Sequence, residues 1–199
     1  MSVTRTVNRI RRNHGLEHAT IHVLSESHKR FSAQGNSDHR GFHLNIYGDV
    51  TAEEVSAAAA EAQRRLRAGQ RQLAVHPNCG TVLVTTATLA TLAAQAALTW
   101  EQWRAPDAPA GRGRSLTNAF NALPGAILAV VVALIVGRPL GLTLQERYTV
   151  DGDIADLEIL SIQPVSVSPV ARLFQLLLTA GNRALPPKSY FVRTVGGEA

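Results

Sequence analysis

The chain has 199 residues, of which 45% are hydrophobic, 18% charged and 5% aromatic, with a formal net charge of +5. That length holds one compact domain, or one small domain plus membrane segments, and the composition excludes bulk disorder, which needs a polar, highly charged chain. The arginines are scattered and aromatics are few, which argues against a nucleic-acid partner; a basic chain with apolar runs better suits an anionic membrane face.

Residues 1–12 carry Arg5, Arg9, Arg11 and Arg12, but no apolar core follows, so no signal peptide is expected. A helix is predicted over residues 13–27 and a loop over 35–41. Residues 42–47, FHLNIY, alternate and predict a strand. Gly48 and Asp49 turn the chain. Thr51 and Glu54 then form a capping box for an alanine-rich helix that ends near Ala68 and is capped by Gly69. Residues 73–76 read as short and extended, broken by Pro77, which gives a strand–helix–strand order.

Residues 80–100 contain no charge and have the length of a membrane-crossing helix, with Trp100 and Trp103 at the end where interfacial aromatics belong. Residues 117–137 hold the most apolar stretch of the chain, with Pro124 and Gly125 marking a first turn or a kink and residues 140–144 extending the helix by a turn. Between them, residues 101–115 contain Pro106, Pro109, Gly111 and Gly113 and read as a loop. Eleven Lys/Arg precede the first span, three lie in the loop and six follow. The positive-inside bias therefore places both termini in the cytoplasm and the protein in the inner (plasma) membrane as a multi-pass chain. Beyond it, residues 156–162 and 189–195 predict strands that join the first in one sheet, and residues 170–179 predict an apolar helix.

The expected fold class is α+β: a two-helix transmembrane hairpin (80–144) with a small cytoplasmic α/β unit (1–79) and cytoplasmic C-terminal strands and an apolar helix (145–199). The implied partners are the lipid bilayer and a membrane-protein partner or a second copy of the chain.

The sharpest chemistry lies in residues 13–22, NHGLEHATIH. His14 and His18 are four apart and share one face of a helix, where two imidazoles can bind one metal ion. Glu17 stands beside them in the inverted order H-x-x-E-H, as a candidate general base. His22 extends the face by a turn. A second cluster, His76-Pro77-Asn78-Cys79-Gly80-Thr81, places a histidine and the chain's one cysteine in a tight turn where the first span begins. A single cysteine excludes an intrachain disulfide and fits a reducing compartment. Thiolate and imidazole are good zinc ligands, so His14, His18, His76 and Cys79 are the candidate set for zinc or another divalent metal.

Three functions follow. Three ligands would leave a position for water, with Glu17 as base, in a metal-dependent hydrolase acting on membrane-proximal peptides or lipid-linked compounds. Four ligands would close the shell and make a structural centre in a scaffold or complex subunit, with Glu17 holding a ligand ring. Without metal, Cys79 would be a nucleophile with a histidine as base.

The pair H-G-x-E-H-x-T and H-P-x-C-G-T ahead of two spans resembles the YqhQ-like bacterial membrane proteins, which are described as predicted metal-dependent enzymes. The segments RRNHGLEHATIHVL and LAVHPNCGT are more similar still to a related domain of unknown function. The resemblance covers residues 11–144 and implies a metal site more firmly than a substrate. This chain departs from the YqhQ-like pattern at Ala19, where that pattern tends to carry lysine.

Overall fold

The computed structural model describes residues 2–29, 31–104, 112–167 and 188–197. The chain divides into two units, Met1–His76 with Glu146–Ala199, and Pro77–Gln145.

The first unit begins with helix α1, Val3–Ser27. Its middle is buried on nearly every side from Arg12 to Ile21, because it packs against a second helix, the sheet and a turn. Gly15 is required there: a Cβ would collide with the carbonyl oxygen of Asp151, whose own N–H donates to Arg11 O at 3.0 Å. Strands β1 (Ser32–Asp38) and β2 (Gly41–Tyr47) form an antiparallel hairpin. Helix α2, Ala52–Arg67, opens on the expected capping box, with Thr51 Oγ1 accepting from Glu54 N and the Glu54 carboxylate accepting from Thr51 N. It closes on a left-handed Gly69, whose N–H donates to Leu66 O while that of Gln70 donates to Arg65 O, the double bond of a glycine C-cap. Its buried positions Val55, Ala58, Ala59, Ala62 and Leu66 follow helical spacing.

After the second unit the chain returns to form β3, Glu158–Val165, and β4, Lys188–Val195. The sheet is fully antiparallel in the order β1-β2-β4-β3, so the strands predicted near the C-terminus do join the one predicted at 42–47. Phe42, Leu44 and Ile46 of β2, with Tyr190 and Val192 of β4, meet Leu16 and Leu24 of α1 and Val55 of α2 in one core.

Two local readings are corrected. The expected loop at 35–41 is mostly strand, because β1 fills the hydrogen-bonding edge of β2 with small polar residues that the core does not need. Only residues 39 and 40 turn the chain, with Asp38 accepting from the Arg40 N–H at 2.7 Å. The extended segment expected at 73–76 is a 3₁₀ turn over Arg71–Ala74 and pairs with no strand among the described residues; the Ala74 and Val75 carbonyls accept instead from histidine rings of α1. The helix predicted at 170–179 lies outside the described residues.

The second unit holds α3, Gly80–Arg104, and α4, Arg112–Leu144. Both helices run further into the predicted 101–115 loop than its composition suggests, and Pro124 lies inside α4 rather than at its start. Gly137 and Gly141 face Thr86 and Val82, so the two helices are antiparallel neighbours. A Cβ at Gly141 would stand 2.8 Å from Val82 Cα, and one at Gly137 3.0 Å from Thr86 Cα. Glycines four apart thus let the backbones approach, the small-residue packing that serves helices in lipid. The windows Gly80–Glu101 and Phe120–Thr149 are long and apolar enough to cross a membrane, and only 6% and 17% of them are buried.

Gly141→Val should destabilise the helix pair by about 1–3 kcal/mol through overpacking against backbone. Gly125→Val, where a Cβ meets nothing within 4 Å, is the control. Thermal unfolding in detergent checks this, and equal melting temperatures for the two variants would contradict the close approach.

Candidate functional site

All seven histidines lie in the first unit, and four of them gather in one cluster. His14, His18 and His22 rise along one face of α1, and His76 comes from the end of the segment that follows the 3₁₀ turn. The His14 and His18 rings are 4.4 Å apart between centroids, His18 and His76 5.7 Å, and His22 and His76 4.9 Å. A ring nitrogen of His14 and one of His18 lie within 4.8 Å of each other.

Backbone carbonyls orient these rings. His14 Nδ1 is 2.9 Å from Thr149 O, and the buried His18 Nδ1 is 2.7 Å from Ala74 O. A carbonyl only accepts, so Nδ1 carries the proton in both rings, and in the neutral ring Nε2 carries the lone pair. In His22 the roles reverse: Nε2 donates to Val75 O at 3.0 Å, and the lone pair sits on Nδ1. Metal-binding histidines characteristically donate the other ring N–H to a carbonyl, which fixes tautomer and orientation. The carbonyls belong to the segments that lead into and out of the second unit.

His76 is held neutral. Burial first, and then the neighbouring His22 and His18, push its pKa from 6.5 down to about 4. A neutral imidazole is the form that can bind a metal.

Glu17 is buried on another side of α1. Its Oε2 accepts from Ser37 Oγ at 2.6 Å, and its carboxylate packs where a Cβ on Gly35 would have to stand. At 100° per residue, position 17 lies about 100° around the helix from position 18, which turns it toward β1. Asn13 likewise anchors the helix. Its amide donates to Asp38 O at 2.8 Å and its Oδ1 accepts from Thr194 Oγ1 at 2.7 Å, tying α1 to the ends of β1 and β4. Cys79 is buried and reduced, and it belongs to the second unit, three residues past His76.

The sequence reading missed the Thr149 and Ala74 carbonyls, which no residue type advertises, and Gly35 and Ser37, which look like loop residues. Gly15, by contrast, stands in the first motif and turns out to be set by backbone contact.

The pKa of His76 gives a pH prediction for metal-free protein. The unfolded chain takes up that proton near pH 6.5, the folded chain only near 4. Between these values the unfolded state binds more protons, so stability falls as pH drops from 6.5 to 4, and the contribution is intact above 6.5. The melting-temperature difference between chelated wild type and His76→Gln should be constant above pH 6.5 and shift against the wild type as pH falls from 6.5 to 4. Curves that stay parallel between pH 6.5 and 4 would contradict the burial of a neutral His76.

Residues 9–162 match the family model of a domain of unknown function, DUF6391. An uncharacterized protein of Picosynechococcus sp. is 34% identical over 157 residues, covering 69% of this chain and 70% of that protein. No solved structure matches. The link to YqhQ-like proteins rests on the two motifs alone. The matched region contains both histidine clusters and both long apolar helices, and the chain belongs to the DUF6391 family.

Proposed function

We propose that this chain is a membrane-anchored metal protein in which His14, His18 and Cys79 hold a divalent ion of the zinc class, with His76 as the fourth ligand. One observation carries the reading: both α1 histidines donate Nδ1–H to backbone carbonyls and so present Nε2 as the ligand atom. Cys79 follows His76 by three residues, a span of at most about 11 Å of extended chain, so the two are bound to the same neighbourhood. Two imidazoles, a thiolate and a neutral third imidazole suit tetrahedral zinc. Such a closed shell is structural, and Glu17, bonded to Ser37, then positions α1 on the sheet. The apolar helices are proposed to cross the inner (plasma) membrane with both termini cytoplasmic, which the arginine distribution supports. Reporter fusions to residues 105–111 that report a cytoplasmic loop would refute that orientation.

A second reading is favoured by the His76 ring lying nearer His22 than His18. If His76 stays with His22, three ligands remain, and the bound metal would supply Lewis-acid activation of water for hydrolysis. Glu17 would then accept the proton after leaving Ser37, and the substrate would be a membrane-proximal peptide or lipid-linked compound.

Elemental analysis of the detergent-solubilised full chain should give about one metal ion per chain in wild type and none in the His14→Ala/His18→Ala double variant. Chelation should lower the melting temperature of wild type only, since a metal bound to the folded state alone stabilises it. Wild type without metal after reconstitution would overturn the proposal. Under the structural reading Glu17→Gln keeps the metal; in the hydrolytic reading it also keeps the metal but abolishes turnover.

A further inference from the structure

The second unit contains a groove of about 420 Å³ between the start of α3 and the later part of α4. Val82, Leu83 and Leu134 form its apolar wall, and Asn78, Cys79 and Arg138 line it alongside them. Leu83 is 68% exposed and Leu134 48% exposed, so the wall is open rather than closed by protein. No acidic side chain lines it.

Arg138 is the informative residue. It directly follows the apolar run 117–137 of α4, at the end of the hydrophobic stretch where a basic side chain meets anionic headgroups. Among the described residues it has neither an ion pair nor a hydrogen bond. Pro139 follows directly, and Gly137 and Gly141 on either side pack α4 against α3, so the backbone carrying the guanidinium is fixed in place. A cation on a backbone held in place, lining an open apolar groove, has the complement of a molecule with an anionic head and hydrocarbon tails. Guanidinium bonds phosphate oxygens with two parallel N–H donors, and Leu83 and Leu134 offer surface to a chain.

We infer that this groove binds an anionic phospholipid, with the phosphate on Arg138 and an acyl chain along Leu83 and Leu134. The inference rests on the membrane reading of α3 and α4, but not on the metal. The lipid would be a bound ligand of the helix pair, beside the turn that carries Cys79.

The test uses the full chain in detergent, titrated with phosphatidylglycerol or phosphatidylcholine and read by native mass spectrometry. Wild type should prefer phosphatidylglycerol by about fivefold, the scale of one arginine at an anionic headgroup. Arg138→Gln should bring the two lipids to parity, while Arg104→Gln, outside the groove, should keep the preference. Leu83→Trp, which fills the groove, should weaken both lipids. Excess inorganic phosphate should not displace the lipid, because half of the recognition is apolar. An unchanged preference in Arg138→Gln, or displacement by phosphate, overturns the inference. Carbonate extraction of cell membranes separates the two failures: release of the chain overturns the membrane reading and this inference together, whereas retention with an unaltered Arg138→Gln overturns this inference alone.

Discussion

The hydrogen bond from His18 Nδ1 to Ala74 O, buried and 2.7 Å long, is the constraint on which the rest of the site depends. It holds the 3₁₀ turn against α1, fixes the tautomer of one ring and sets where the chain stands at His76. His14 repeats the device with Thr149 O at the point where the chain re-enters the first unit. The histidine face is therefore oriented by the segments before and after the helix pair. An unpaired backbone carbonyl in such a buried place costs on the order of 1–3 kcal/mol, so the rings also satisfy the turn that holds them.

That arrangement explains the local composition of α1. Gly15 admits the Asp151 backbone, and Asn13 joins two strand ends. Glu17, the residue that the motif offers as a base, anchors the helix to β1 through Ser37. Two different faces of one short sequence thus do two jobs: the histidines meet the turn and the return segment, and the carboxylate and amide meet the sheet. Helical rotation sets Glu17 about 60° from His14 and about 100° from His18, so the carboxylate reaches Ser37 of β1 beside the histidine face.

Much of the fold was legible because strong local signals agreed with it. The capping box of α2, the alternation of FHLNIY, the late strands and the two apolar runs each follow from residue type and period. What was not legible has physical causes. Strand β1 brings only Ala33 to the core and is otherwise small and polar, because it lies at a sheet edge and buries little, so its composition reads as a loop. The segment at 73–76 is apolar enough for a strand, but its carbonyls bond histidine rings instead of a neighbour. Of the candidate site, the histidines declared themselves by spacing; the carbonyls that orient them belong to every residue and declare nothing.

The central claim is a metal held jointly by α1 and the turn after it, and it is most directly tested by X-ray absorption spectroscopy of the full chain reconstituted with zinc. The account predicts imidazole nitrogens at about 2.0–2.1 Å and a single sulfur at about 2.3 Å, the sulfur disappearing in Cys79→Ser while the imidazole signal remains. A shell of oxygen and nitrogen alone in the wild type would contradict it.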